Sequence, residues 1–301
     1  MTRRRAAVFF LFAAIAAGLL PALHAFRAYG LRSGSFTARQ WRVQRPPDAT
    51  LLGLRDVRFT TEDHTNIAGW YLPSRTGAAV IVLHGSEADR SSMLAEARAL
   101  AAAGFGVLLF DLPGHGESDG RVERGRTERS ALRAAIDFVT AQPGIAAQRI
   151  GALGFSDGAF TVVQVASMDH RIRSVVLEGA FGDMIEQVRA EFAPAGRLAQ
   201  RAAVLADERY RRDEAGFRPL DIIGRIAPRP LVIIAGEEDR TAPSALGHQL
   251  FDAAREPKQF WLLPHVGHGG YARMNATYLT RLCAFFRQTL VDPPAAQQPS
   301  Y

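Results

Sequence analysis

Apolar residues along this chain fall into two alternating patterns. Short, nearly continuous apolar runs occupy residues 79–83, 106–110, 150–153, 174–177, 231–235 and 259–263. Runs of that length predict strands buried on both faces. Between them lie stretches with apolar positions three and four apart, at residues 91–103, 127–142, 160–167, 244–254 and 276–290. Those predict amphipathic helices. Two further runs, 57–60 and 66–72, predict a strand hairpin ahead of the alternating part. Strand and helix in alternation predict an α/β fold, a mainly parallel twisted sheet with helices on both faces.

The rhythm breaks between residues 181 and 222, which hold no strand run. Met184, Ile185, Val188 and Phe192 recur at helical spacing, as do Leu198, Ala202, Leu205 and Ala206. A small helical cap is expected here, with one apolar face turned to the core or to an apolar ligand. The charges of residues 208–218 read as a solvated face. Residues 51–290, about 240 in all, suffice for one large α/β core. Residues 291–301, with Pro293, Pro294 and Pro299, read as a disordered tail.

The amino terminus follows other rules. Arg3, Arg4 and Arg5 precede an uncharged stretch from Ala6 to Leu20, which Ala22, Leu23, Ala25 and Phe26 extend past Pro21. About 20 such residues make a helix of about 30 Å, enough to cross a bilayer. The segment fits a signal anchor over residues 1–30 or the apolar region of a signal peptide. Leu23-His24-Ala25 is a poor cleavage site, which favours the anchor. Residues 31–50 would form a basic juxtamembrane linker. Arginines flank the span on both sides, but those before it are contiguous, so the remaining domain is expected outside the cytoplasm, periplasmic or extracellular.

Charge separates the same two regions. Eight of the 36 basic residues and none of the 30 acidic ones precede Pro46, leaving 28 basic against 30 acidic residues in the remainder. The net charge of +6 therefore belongs to the amino-terminal region. Nothing suggests nucleic-acid binding by the main domain, whereas the early arginines suit anionic lipid headgroups. Cys283 is the single cysteine, so no intrachain disulfide can form, and its place in a helical pattern argues against a thiol nucleophile.

Candidate chemistry gathers at the ends of the strand runs. Gly154-Phe155-Ser156-Asp157-Gly158 follows one strand and leads into a helix, the arrangement of a nucleophile elbow. A sharp turn of that kind exposes the Ser156 hydroxyl and places the Asp157 backbone N–H where an oxyanion would form. A carboxylate on Asp157 would oppose that oxyanion, so it is expected to face away. The next requirements are an acid and a base later in the chain, each after a strand. Asp239 follows 231–235, with Glu237 and Glu238 as rivals in its loop and Glu178 or Asp183 after the preceding strand. His268 follows 259–263 among Gly267, Gly269 and Gly270, with His265 as its rival. A second oxyanion donor is expected from the turn after 79–83, at the N–H of Ser86 or its neighbour. His84 there reads as structural, and Asp111 and His115 read as fixing the glycine-rich loop 111–118.

These residues, His84-Gly85, the 111–118 loop, the Ser156 elbow, Asp239 and His268, occur in an order that resembles the alpha/beta-hydrolase superfamily. The hairpin before the first motif is most similar to its BEM46-like and serine aminopeptidase-like branch. The resemblance implies a serine hydrolase acting on a small acyl substrate through Ser156, Asp239 and His268, and it implies no metal or organic cofactor. An acyl ester is the expected substrate. An acyltransferase, a thioesterase, a peptidase and an idle hydrolase-fold binding module are the alternatives, because fold does not select chemistry.

Overall fold

The computed structural model describes Leu19 and residues 43–50, 53–210, 217–275 and 277–292. The expected membrane anchor apart from Leu19, most of the basic linker and the tail from Pro293 lie outside these residues. Among the described residues no helix is long and apolar enough to cross a membrane.

Among the described residues eight strands form one sheet: β1 (Arg55–Thr60), β2 (Asn66–Leu72), β3 (Ala79–Leu83), β4 (Gly106–Phe110), β5 (Ile150–Phe155), β6 (Ile172–Glu178), β7 (Leu231–Gly236) and β8 (Lys258–Leu263). Their spatial order is β1-β2-β4-β3-β5-β6-β7-β8. The β1–β2 hairpin joins β4 antiparallel, and every pairing from β4 to β8 is parallel. β1 ends the sheet with charged Arg55, Asp56 and Arg58, which discourages edge-to-edge pairing with another chain.

Among the described residues, the helices of eight residues or more are α1 (Leu94–Ala102), α2 (Arg126–Thr140), α3 (Asp157–Ala166), α4 (Met184–Glu191), α5 (Arg197–Tyr210), α6 (Ser244–Ala253) and α7 (Tyr278–Phe286), of which α4 and α5 form the cap. Side chains of a strand point alternately to its two faces, so each continuous apolar run feeds two cores. Ala79, Ile81 and Leu83 pack with Ala131, Leu132 and Ile136 of α2, Val162 and Val163 of α3, and Leu250 of α6. Val80 and Val82 pack on the other face with Ala97 and Leu100 of α1 and with Leu282, Phe285 and Phe286 of α7. Each fully buried aliphatic side chain of this kind contributes about 1.5–3 kcal/mol. Gly151 is required by the close seating of α7, since a Cβ there would come within 2.6 Å of the Phe286 ring.

Several boundaries move from their sequence-based positions. α3 begins at Asp157 and not at 160, because the chain passes from β5 through Ser156 directly into the helix. The first helical stretch opens with a 3-10 turn, Arg90–Met93, capped by the Asp89 carboxylate, which accepts from Ser91 N. The last continues beyond Phe286 as a wider turn, Arg287–Val291.

The cap is helical as expected, but the face expected of α5 is wrong. Met184 and Val188 of α4 are buried with Phe160, Phe181, Ala203, Ala242 and Leu246. Leu198 and Leu205 are 55% and 61% exposed, while Ala199 and Ala203 are fully buried. α5 meets the protein through its alanines, whose small side chains permit close approach, and this turns the leucines outward.

Candidate active site

Ser156 has φ 52° and ψ −115°, a left-handed conformation for a residue with a side chain. Such geometry costs about 1–3 kcal/mol and persists only where its surroundings enforce it. Here the Ser156 N–H donates to the Glu178 carbonyl at 2.8 Å, and its carbonyl accepts from Phe160 N at 3.0 Å. The flanking glycines are obligatory. A Cβ on Gly154 would lie 2.5 Å from the Gly158 backbone, and one on Gly158 would lie 2.6 Å from the His84 carbonyl.

The hydroxyl so presented meets an unbroken line of hydrogen bonds. Ser156 Oγ lies 3.0 Å from His268 Nε2, and His268 Nδ1 lies 2.7 Å from Asp239 Oδ2. The Asp239 side chain is fully buried, and its other oxygen accepts from the backbone N–H groups of Thr241 at 2.9 Å and Ala242 at 2.8 Å. An ionised carboxylate can only accept, so the imidazole proton sits on Nδ1 and Nε2 is left to accept from the serine hydroxyl. The Phe155 ring, 4.9 Å from that of His268, and the close approach of Gly179 to His268 Cε1 hold the imidazole from the sides.

The rivals are employed elsewhere. His265 is 86% exposed, 3.3 Å from Glu238, and its backbone N–H donates to Glu237. Asp183 caps α4 through Ile185 N and Glu186 N. Glu178 is buried and accepts from the Tyr278 hydroxyl. Burial, reinforced by the neighbouring Glu96, holds the Glu178 carboxyl well above the usual carboxylate range despite that hydrogen bond.

The turn after β3 runs beside the serine, as expected. A Cβ on Gly85 would lie 3.0 Å from that of Ser156, so only glycine lets the backbone leading to Ser86 come so close. Asp157 is the first residue of α3, where a helix leaves its N–H without an intrahelical acceptor. His84 buttresses this turn: Nδ1 donates to the Gly85 carbonyl at 2.7 Å, and Nε2 accepts from Leu112 N at 3.0 Å. Burial, with a smaller contribution from His115, lowers the His84 pKa from 6.5 to about 3. A permanently neutral imidazole can fill both roles, and His84 is structural. Asp111 accepts from Arg90 N and Glu117 N, both at 2.8 Å, and pairs with the buried Arg90 guanidinium. His115 lies against the His84 ring.

Two side chains beside the candidate site escaped sequence reasoning. Arg90 bridges Asp111 and Glu117 within the 111–118 loop. Arg124 pairs with Asp157 at 2.9 Å, so the Asp157 carboxylate is directed to a guanidinium. The available signal for Arg124 was a basic residue two positions before the start of α2, near an end where the helix macrodipole favours acids. Cys283 is half-buried, and burial raises its thiol pKa, which weakens it as a nucleophile. Among the described residues no group of three or more His, Cys, Asp or Glu side chains is placed to hold a metal ion.

A family model for the alpha/beta hydrolase fold matches residues 78–213, the span from β3 through the elbow into the cap. The chain belongs to the alpha/beta-hydrolase fold family. It is 34% identical over 219 residues to the uncharacterized protein Rv2307c of Mycobacterium tuberculosis, covering 71% of this chain and 72% of the relative. It is 28% identical over 221 residues to the uncharacterized protein YfhR of Escherichia coli, covering 70% and 72%. Among solved structures it is similar to the Pyrococcus furiosus esterase Pf2001, with TM-score 0.69 and 22% identity over 83% of this chain and 96% of that one. That last likeness is one of fold.

Proposed function

We propose that this protein is a serine hydrolase that cleaves a small acyl ester, with Ser156 as nucleophile, His268 as base and Asp239 as orienting acid. The observation that carries the reading is the hydrogen-bonded line from Asp239 through His268 to a strained, glycine-flanked Ser156. Family membership supports a hydrolase, and the esterase name of the fold relative from Pyrococcus furiosus agrees with an ester substrate. As Ser156 Oγ attacks the acyl carbonyl, His268 Nε2 takes its proton, and buried Asp239 stabilises the imidazolium. The backbone N–H groups of Ser86 and Asp157 receive the developing oxyanion. His268 then protonates the leaving alcohol, and water releases the acyl group by the same steps in reverse roles.

Hydrolysis of p-nitrophenyl esters from acetate to palmitate tests the reading. The Ser156→Ala and His268→Ala variants are expected to lose about 10⁴-fold or more in turnover, because members of such a relay act as a unit. Turnover retained in Ser156→Ala refutes it. The membrane anchor and the extracytoplasmic placement are proposals drawn from residues 1–30, tested by carbonate extraction of membranes and by protease accessibility in intact cells.

A further inference from the structure

The residue that follows the nucleophile is an aspartate, and its carboxylate belongs to a closed polar triangle. Arg124 Nε lies 2.9 Å from Asp157 Oδ2, Arg124 Nη2 donates to Ser86 Oγ at 2.9 Å, and Ser86 Oγ donates to the same Asp157 oxygen. The Arg124 and Asp157 side chains are only 9% and 14% exposed. Arg124 holds a left-handed backbone, φ 51°, and reaches to within 3.9 Å of Met184 Sδ under the cap. Ser86 and Asp157 are the two residues whose backbone N–H groups face the oxyanion in the reading above. The triangle therefore joins the two walls of that hole, which come from loops 71 residues apart.

We propose that Arg124 is a positioning residue for the reaction. Its guanidinium cancels the Asp157 carboxylate beside the oxyanion site and, through Ser86, holds the two backbone donors at a fixed separation. The proposal rests on the serine-hydrolase reading. A carboxylate on the oxyanion-hole residue would repel negative charge developing on the substrate oxygen, and the repulsion is large where water is scarce. Arginine suits the task because its planar fork can engage a carboxylate and a hydroxyl together, which a lysine ammonium on a single stem does less well.

The experiment compares the full-length protein with Arg124→Gln, Arg124→Lys and the double variant Arg124→Gln/Asp157→Asn. Turnover of p-nitrophenyl acetate is normalised to the fraction of Ser156 labelled by a fluorophosphonate. Arg124→Gln is expected to lower kcat about 10- to 100-fold while KM changes less than about 3-fold. Adding Asp157→Asn should recover at least about 5-fold in kcat, because the unneutralised charge is gone. Arg124→Lys, which keeps the charge and loses the fork, should still lose kcat; it decides the matter if Arg124→Gln does not fold. A double variant as slow as Arg124→Gln, or wild-type kcat in both Arg124 variants, overturns the proposal. Absence of labelling and of turnover in the wild type overturns the hydrolase reading itself, which separates the two failures.

Discussion

His84 gives the protein a pH dependence that can be worked from its surroundings. Its ring is wholly enclosed, donates to Gly85 and accepts from Leu112 N, and its pKa falls from 6.5 to about 3. Above pH 6.5 both folded and unfolded chains carry a neutral imidazole, so the group adds no pH dependence there. Below pH 6.5 the unfolded chain takes up a proton that the folded chain refuses. Stability is therefore lost as pH falls, by about 1.4 kcal/mol per unit, until the folded ring titrates near pH 3. Between pH 7.5 and 4.5 this group alone costs about 2–3 kcal/mol. The assay is urea unfolding at pH 7.5, 5.5 and 4.5 for the wild type and His84→Gln, whose amide cannot titrate. The variant starts less stable, and the gap should narrow by about 2–3 kcal/mol as the pH falls. A gap constant with pH would refute the reasoning, since it would mean that the buried ring accepts a proton as readily as the unfolded one.

Other expectations follow from particular contacts. Asp239→Asn should lower kcat about 10³- to 10⁴-fold without unfolding the protein, because the amide permits the wrong imidazole tautomer. His265→Ala should stay within about 2-fold of wild type, as its side chain is exposed and paired with Glu238, while His268 meets Ser156. Steady-state kinetics of the pair separates the two histidine loops, and a loss in His265→Ala equal to that in Asp239→Asn would contradict the assignment. Gly158→Ala inserts a methyl 2.6 Å from the His84 carbonyl and 2.7 Å from that of Leu83, both backbone atoms that cannot swing aside. It should cost about 1–3 kcal/mol in thermal stability and lower kcat about 10-fold or more by spreading the elbow from the oxyanion turn. An unchanged melting temperature and turnover would show that the turn is softer than its packing indicates.

The strands of the parallel region were legible because burial on both faces forces continuous apolar runs such as Ala79–Leu83 and Leu231–Gly236. The site was legible for a related reason: parallel strands deliver their carboxyl ends to one edge of the sheet, so loops carrying Ser156, Asp239 and His268 had to converge. Choosing between His268 and His265 relied on glycine neighbours, and the packing of Phe155 and Gly179 against His268 gives the physical basis. Arg124 was illegible because its meaning lies in two partners, Ser86 and Asp157, brought to it by tertiary structure from 38 and 33 positions away. The outward turn of Leu198 and Leu205 was likewise invisible. Periodicity identifies an apolar stripe, but the closeness of approach to the neighbouring helix decides whether alanine or leucine faces inward.

The order of the strands has a consequence for biosynthesis. The candidate site draws on residues from His84 to His268, and the base proposed above follows β8, the last strand of the sheet in chain order. Before β8 clears the ribosomal exit tunnel, the emerged part of the nascent chain can already pair β1 to β7, yet Ser156 lacks its His268 partner. On the proposed mechanism, reactivity of Ser156 switches on only after the sheet is complete. A serine-directed label applied to stalled nascent chains of increasing length would rise in one step once β8 and the His268 loop clear the exit tunnel, marking the finished molecule.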